Sequence, residues 1–213
     1  MVSLAGLSPL IAGSVSGRVE LRDSQDAAVR KHMDFSGVVV WLEPVNGSAI
    51  PAPPGAAAKM VQKDKTFTPH VLPIRVGTSV DFPNFDPIFH NVFSLSKPKN
   101  FDLGNYSKGQ TRMVVFLKPG IVAVYCHLHP NMAGTIVVTP NQWSVCVDTA
   151  GQYALANVPP GKYTVVAWHK TGGTFRKTIE VAEGRDSVAD FFVPLAEIAS
   201  GELDNHAALH PGH

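Results

Sequence analysis

The chain has 213 residues, 18 Lys+Arg against 17 Asp+Glu, a formal net charge of +1 and only 16% charged residues. That balance excludes the basic field of a nucleic-acid binder and the acidic tail of a polyelectrolyte. Apolar residues at 45% can fill a core, while 18 Gly and 17 Pro spread along the chain leave few helix-length segments and exclude a helical bundle.

The first residues, MVSLAGLSPLIAGSVSG, are uncharged and weakly apolar and lack the basic start of a signal peptide. They read either as the remainder of a trimmed export segment or as an ordinary terminus. Residues 13–22 alternate well enough for one strand, and Val38–Leu42 (VVVWL) is dense enough for a strand buried on both faces. Between them, Asp23–Phe35 has no apolar stripe. Pro51, Pro53, Pro54 and Gly55, followed by Ala56–Ala58, form a turn-rich connector and mark a boundary. From Lys59 to Thr139, strand follows strand: MVQ, FTP, VLPIRVG, SVDFPN, HNVFSLS, MVVFLKPG, IVAVYC and GTIVVTP, punctuated as in a sandwich or barrel. The interval SKPKNFDLGNYSKG is expected to be a long polar loop with two embedded aromatics. After Pro140 come WSVCVD, TAGQYALANV, PPGKYTVVAWH, TFRKTIEVAEG and SVADFFV, strands linked by Gly turns. From Pro194 a short helix and a polar tail ending HAALHPGH are expected to fray. No apolar run reaches the length of a membrane-spanning helix.

Two strands alone are marginal in water, and the N-terminal part has only two. Joined with the four or five strands of the C-terminal part, they make one small β-sandwich. The expected organisation is therefore a discontinuous unit of residues 13–55 and 141–193, an inserted unit of 56–140, and a tail of 194–213. Two sequential domains, with the first strands packed on the middle unit, are the competing layout.

The chemistry is concentrated in the middle unit. His90 begins one strand, and CHLHPNM runs from Cys126 to Met132 between two others. Cys126, His129 and Met132 are offset by three and three. A thiolate, two imidazoles and a weak thioether are the ligand set of a blue-copper electron-transfer centre: the thiolate gives covalency, the imidazoles suit both copper oxidation states, and the axial Met leaves a compromise geometry. The other histidines have blander readings. His127 points away from Cys126 by strand alternation, His70 is an exposed strand residue, and His169 packs in the core or at an interface. His206, His210 and His213 are loosely spaced in the tail, and the sequence does not decide whether they, His70 or His127 take further metal. Cys146 points into a sandwich core as a free thiol if Cys126 holds copper. No Ser/His/Asp arrangement, phosphate loop or zinc pattern is present.

Residues 59–139 resemble the cupredoxin family, and the metal loop resembles the amicyanin type, Cys-x2-His-Pro-x-Met, at Cys126, His129, Pro130 and Met132. VDFPNFDPIFHNV resembles the stretch that holds the first copper histidine, His90. The resemblance implies that the Asn91 side chain ties the two ligand loops together. More weakly, VDTAGQYALANVPPGKYTVVAWH resembles carboxypeptidase regulatory-like or transthyretin-like domains, which implies scaffolding or adhesion. The fold expected is thus all-β, a cupredoxin Greek-key sandwich inserted in, or packed beside, a small transthyretin-like sandwich. The function expected is one-electron transfer by one type 1 copper ion in the periplasm or otherwise outside the cytoplasm, with a redox protein as partner. His129 and Pro130 form the electron port. A copper-binding module for storage, sensing or delivery is the alternative. An enzyme is not expected, since Met132 fills the axial position that a substrate would need.

Overall fold

The computed structural model describes residues 11–22, 33–45 and 55–195. The first ten residues of the opening segment, most of the Asp23–Phe35 stretch, the connector prolines Pro51, Pro53 and Pro54, and the tail expected to hold a short helix, with His206, His210 and His213, lie outside the described residues.

Among the described residues the architecture is all-β. Strands β1 (Gly13–Arg22) and β2 (Val39–Pro44) come first. The middle run holds β3 (Ala58–Lys59), β4 (Val61–Lys63), β5 (Thr66–Thr68), β6 (Val71–Arg75), β7 (Ser79–Pro83), β8 (His90–Ser94), β9 (Phe101–Tyr106), β10 (Thr111–Val115), β11 (Gly120–Tyr125) and β12 (Ala133–Thr139). Then follow β13 (Ser144–Cys146), β14 (Gln152–Val158), β15 (Gly161–His169), β16 (Gly173–Val181), β17 (Asp186–Val188) and β18 (Phe191–Pro194).

The middle run folds into a β-sandwich. One sheet has the order β6-β12-β11-β8-β9 and the other β10-β7-β3, with the β4–β5 hairpin alongside. Alternate residues of both sheets, among them Ile74, Val122, Val124 and Ile136 against Val80, Phe82 and Val114, fill one core. The outer strands form two further sheets, β14-β1-β17 with β18 also on β1, and β13-β2-β15-β16. Val15, Val19 and Leu21 of β1 meet Val40, Leu42, Val165 and Ala167 in a second core. The two strands from the start of the chain pair with strands from its end, Gly17 opposite Tyr153 and Leu42 opposite Val165.

The density of VVVWL has a structural cause. Side chains alternate along a strand, so β2 sends Val40 and Leu42 into its own core and Val39 and Trp41 the other way. On that side they meet Val166 and Trp168 of β15, Val137 of β12, and partly buried Val71 and Ile121. β12 divides likewise, with Ile136 and Val138 in the middle core and Val137 in the contact. The four sheets therefore stack as layers, and β2, β15 and β12 are buried on both faces.

Two local expectations are corrected. Part of the expected polar loop at 96–109 is the edge strand β9, because Phe101 and Leu103 pack against the core and Tyr106 is buried, while Asp102 and Gly104 face out. Cys146 lies not in a sandwich core but at the layer contact, half-buried, with its Sγ 4.0 Å from the Val71 carbonyl.

The sheet order decides where chemistry can gather. β8 and β11 are antiparallel neighbours, with Phe93 opposite Tyr125, so the start of β8 and the end of β11 lie at one end of the sandwich. β12 begins there too, with Ala133 opposite Tyr125.

Candidate metal centre

That end carries His90 as the first residue of β8 and Cys126 directly after β11. His90 is fully buried and Cys126 nearly so. The connection from Cys126 to Met132 is closed by its own backbone: Cys126 N–H donates to the Met132 carbonyl at 3.2 Å, and Met132 N–H donates to the His129 carbonyl at 2.9 Å. This short circuit turns His129 back over the end of the sandwich.

Three donor atoms converge. His90 Nδ1 and His129 Nδ1 are 3.1 Å apart, and Cys126 Sγ lies 3.9 Å from the first and 3.7 Å from the second. The two rings meet edge to face at 61°. These residues form a cluster able to hold a metal ion. A first-row ion bonded to nitrogen and sulfur at about 2.0–2.3 Å holds such donors roughly 3–4 Å apart, so the spacing and the donor types fit. Met132 is buried in the same core cluster as Cys126, and the loop hydrogen bonds bind its backbone to both Cys126 and His129. Pro130 is exposed beside His129.

Asn91 joins the two ligand segments. Its backbone N–H donates to Cys126 Sγ at 3.5 Å, its side-chain carbonyl accepts from His127 N–H at 3.4 Å, and its amide donates to Asp102 at 2.6 Å. Asp102 is held below the usual carboxylate range by the Gly104 N–H first, then by Asn91, with a further contribution from His127. His127 itself turns outward. Its ring stacks on Phe93 with centroids 3.7 Å apart, and its Nε2 lies 3.3 Å from Asp102 Oδ2.

Asp86 gave no signal in the sequence, yet it is the residue behind His90. Its Oδ2 lies 2.6 Å from His90 Nε2, on the ring edge opposite Nδ1, and both side chains are buried. The Asp64 and Lys65 N–H groups, in the turn between β4 and β5, donate to the same carboxylate at 2.7 and 2.9 Å. Burial alone would push this carboxyl up, but the hydrogen bonds from Lys65, His90 and Asp64 outweigh it and hold Asp86 below its ordinary value. The offset of four would bring Asp86 and His90 together on a helix, but Pro87 and the strand that begins at His90 exclude one, so only the folded loop makes the contact. His129 is held below the ordinary histidine value, first because burial disfavours its cation and then through His90 and Lys65.

Among the described residues, His70 and His169 do not join the cluster. His70 is exposed, and its carbonyl accepts from Thr135 N–H. His169 accepts at Nδ1 from Thr171 and Gly172 N–H, closing the β15–β16 turn.

No family model matches the chain, and no curated protein is similar to it. Solved structures are. A purple cupredoxin from Nitrosopumilus maritimus aligns at 26% identity over 38% of this chain and 99% of its own length, with a TM-score of 0.35. A reduced amicyanin variant aligns at 24% identity over 42% of this chain and 88% of its own, with a TM-score of 0.37. A second reduced amicyanin variant aligns at 23% identity over 46% and 98%, with a TM-score of 0.36. The architecture of the described residues is all-β, and one end of the middle β-sandwich carries His90, Cys126 and His129 as a candidate metal-binding triad.

Proposed function

We propose that His90, Cys126 and His129 hold a single copper ion, with Met132 as a distant fourth donor, and that the protein carries one electron at a time outside the cytoplasm. The observation behind this reading is the convergence of two imidazole Nδ1 atoms and one cysteine sulfur, 3.1 to 3.9 Å apart, at the end of a packed sandwich. Copper on such a donor set exchanges one electron between Cu(I) and Cu(II), and the thiolate gives it an intense visible absorption. The protein's part is to keep the donors still. Burial fixes the His90 ring, the loop hydrogen bonds fix Cys126, His129 and Met132, and the Asn91 N–H moderates the charge on sulfur. With Met132 as the fourth donor, no position is left for a substrate, which supports a carrier over an enzyme.

In this reading His129 is the port, with Pro130 beside it. The exposed side chains of Phe85, Ile88 and Phe89 precede His90, and exposed Leu128 precedes His129, which supports contact with another redox protein through an apolar face. Residues 56–140 are the cupredoxin unit, inserted into a transthyretin-like unit of 13–55 and 141–193. The separate cores and the β1–β14 and β2–β15 pairings support that division.

Copper titration with optical and paramagnetic resonance spectroscopy tests the proposal. One equivalent of Cu(II) should give an intense thiolate charge-transfer band and narrow hyperfine splitting, with reversible one-electron reduction. Tight Cu(I) binding without that band or a reversible couple would replace the carrier by a storage or delivery module.

A further inference from the structure

The turn between β4 and β5 is unusual in its backbone. Asp64 and Lys65 have φ of 54° and 56°, the left-handed region that residues with a Cβ avoid. Two successive residues in that conformation form the type I′ turn of a tight hairpin, and here they point consecutive N–H groups to one side. Such a pair of N–H groups is an anion-binding concavity. Its occupant is the Asp86 carboxylate, 5% exposed, with Oδ1 on Asp64 N–H and Oδ2 on Lys65 N–H. A third bond reaches Asp86 from the Asn84 side chain, which accepts its backbone N–H at 2.9 Å. The carboxylate is thus held by two N–H groups, and the Asp86 backbone by Asn84, before the carboxylate meets His90.

We propose that Asp86 is the positioning residue of the metal centre: it holds the proton of His90 on Nε2, leaves Nδ1 as a bare donor facing Cys126 and His129, and anchors that ring to the Asp64–Lys65 turn. This deepens the copper reading and rests on it. A neutral imidazole has one N–H, and a carboxylate accepts only, so the ring nitrogen 2.6 Å from Asp86 carries the proton. His90 then has none for Nδ1. The 3.1 Å contact between the two Nδ1 atoms needs one proton, and in the metal-free protein it must come from His129. Asp86 therefore decides the tautomers of both rings. A hydrogen bond to a charged acceptor is roughly twice as strong as a neutral one, so it also makes His90 a stronger donor, which favours Cu(II) over Cu(I).

The tests are Asp86→Asn, with Asp102→Asn as comparator. The second variant also removes a negative charge near the site, but Asp102 touches neither ligand ring. In metal-free wild type, long-range nitrogen NMR should show the His90 proton on Nε2 and the His129 proton on Nδ1. In Asp86→Asn the amide cannot accept from all three N–H donors, so the assignment should become mixed. Cu(II) affinity, by competition with a chelator, should fall ten- to a hundredfold, with less loss for Cu(I). Each tenfold difference between the two raises the potential by 59 mV. Asp102→Asn should leave the His90 tautomer unchanged and move affinity and potential far less. A His90 proton on Nδ1 in wild type would overturn the proposal, whether or not the variant folds. So would an Asp86→Asn protein with wild-type affinity and potential, or an equal shift in Asp102→Asn. The tautomer is read without metal, so failure of the wild type to form a thiolate–copper band would sink the copper reading separately.

Discussion

Cys126 has two hydrogen-bonding roles that a substitution separates. Its backbone N–H closes the loop on Met132, and its sulfur accepts from Asn91 while facing both imidazoles. Cys126→Ser keeps the first role and removes the second, since a hydroxyl gives neither thiolate charge nor covalency. The loop should survive and the visible band of copper-loaded protein should vanish even where some copper still binds. Met132→Leu is milder: the colour persists and the potential rises, because a donor that favours Cu(II) is lost. Both are read from absorption spectra and voltammetry, and full colour in the serine variant would rule out a thiolate-bound copper. The donors themselves were legible in the sequence because sulfur and imidazole at short, fixed offsets between two strands have few other uses. Asp86, Asp64 and Lys65 were not. A surface-type carboxylate and a polar turn look ordinary until folding buries one against the other, and no periodicity links a turn to a loop twenty residues later.

At the level of elements, β1 shows how one strand serves two partners. Ser14–Ser16 pair with β17, and Val19–Arg22 pair with β18. The switch occurs at Gly17, where a Cβ would lie 2.2 Å from the Ala189 carbonyl oxygen and 2.9 Å from the Tyr153 ring. That carbonyl also accepts from the Tyr153 hydroxyl at 2.5 Å. Backbone so close leaves no room for a methyl group, so Gly17→Ala should cost about 1–3 kcal/mol through overpacking. Chemical denaturation measures the loss. The copper spectrum should stay unchanged, because the second core and the metal end share no residue; a changed spectrum would mean that the outer strands act on the site. Regular strands such as β11 and β12 were legible from alternation and β-branched content. β9 was obscured by Gly104 at φ 64° and by its polar outward residues, which read as a loop when the covering strand β8 is not yet known. The double burial of β2 was legible as density, but its reason, a second sandwich on the other face, belongs to tertiary structure.

On the scale of the whole molecule, the layers meet through Trp41, Trp168, Val39 and Val166 on one side and Val137 on the other. That contact covers the β6-β12-β11 face of the middle sandwich and leaves its metal end free. There, Phe85 is 53% exposed and Phe89 58%, and Leu128, Pro130 and Asn131 are exposed in the ligand loop. On the proposed electron-carrier reading, these exposed apolar side chains beside the ligand loop are where a partner would dock. A net charge of +1 supplies no long-range field to steer a partner, so association depends on how readily this face dries on contact. Asn131→Glu places a charge that must be desolvated at that moment, or must meet a like charge in self-exchange, while the three donors, none of which Asn131 touches in the described hydrogen bonds, stay where they are. The self-exchange rate, or the rate of reduction by a partner, should fall by roughly tenfold at low salt. Screening should restore part of it as ionic strength rises, since the Debye length shrinks from about 30 Å at 0.01 M to about 10 Å at 0.1 M. Absorption spectrum and potential should match the wild type, which separates a slower encounter from a damaged site. Equal rates for wild type and variant at every ionic strength would mean that electrons reach the metal through another face, with His127 and Tyr125, exposed on either side of Cys126, as the surface to vary next.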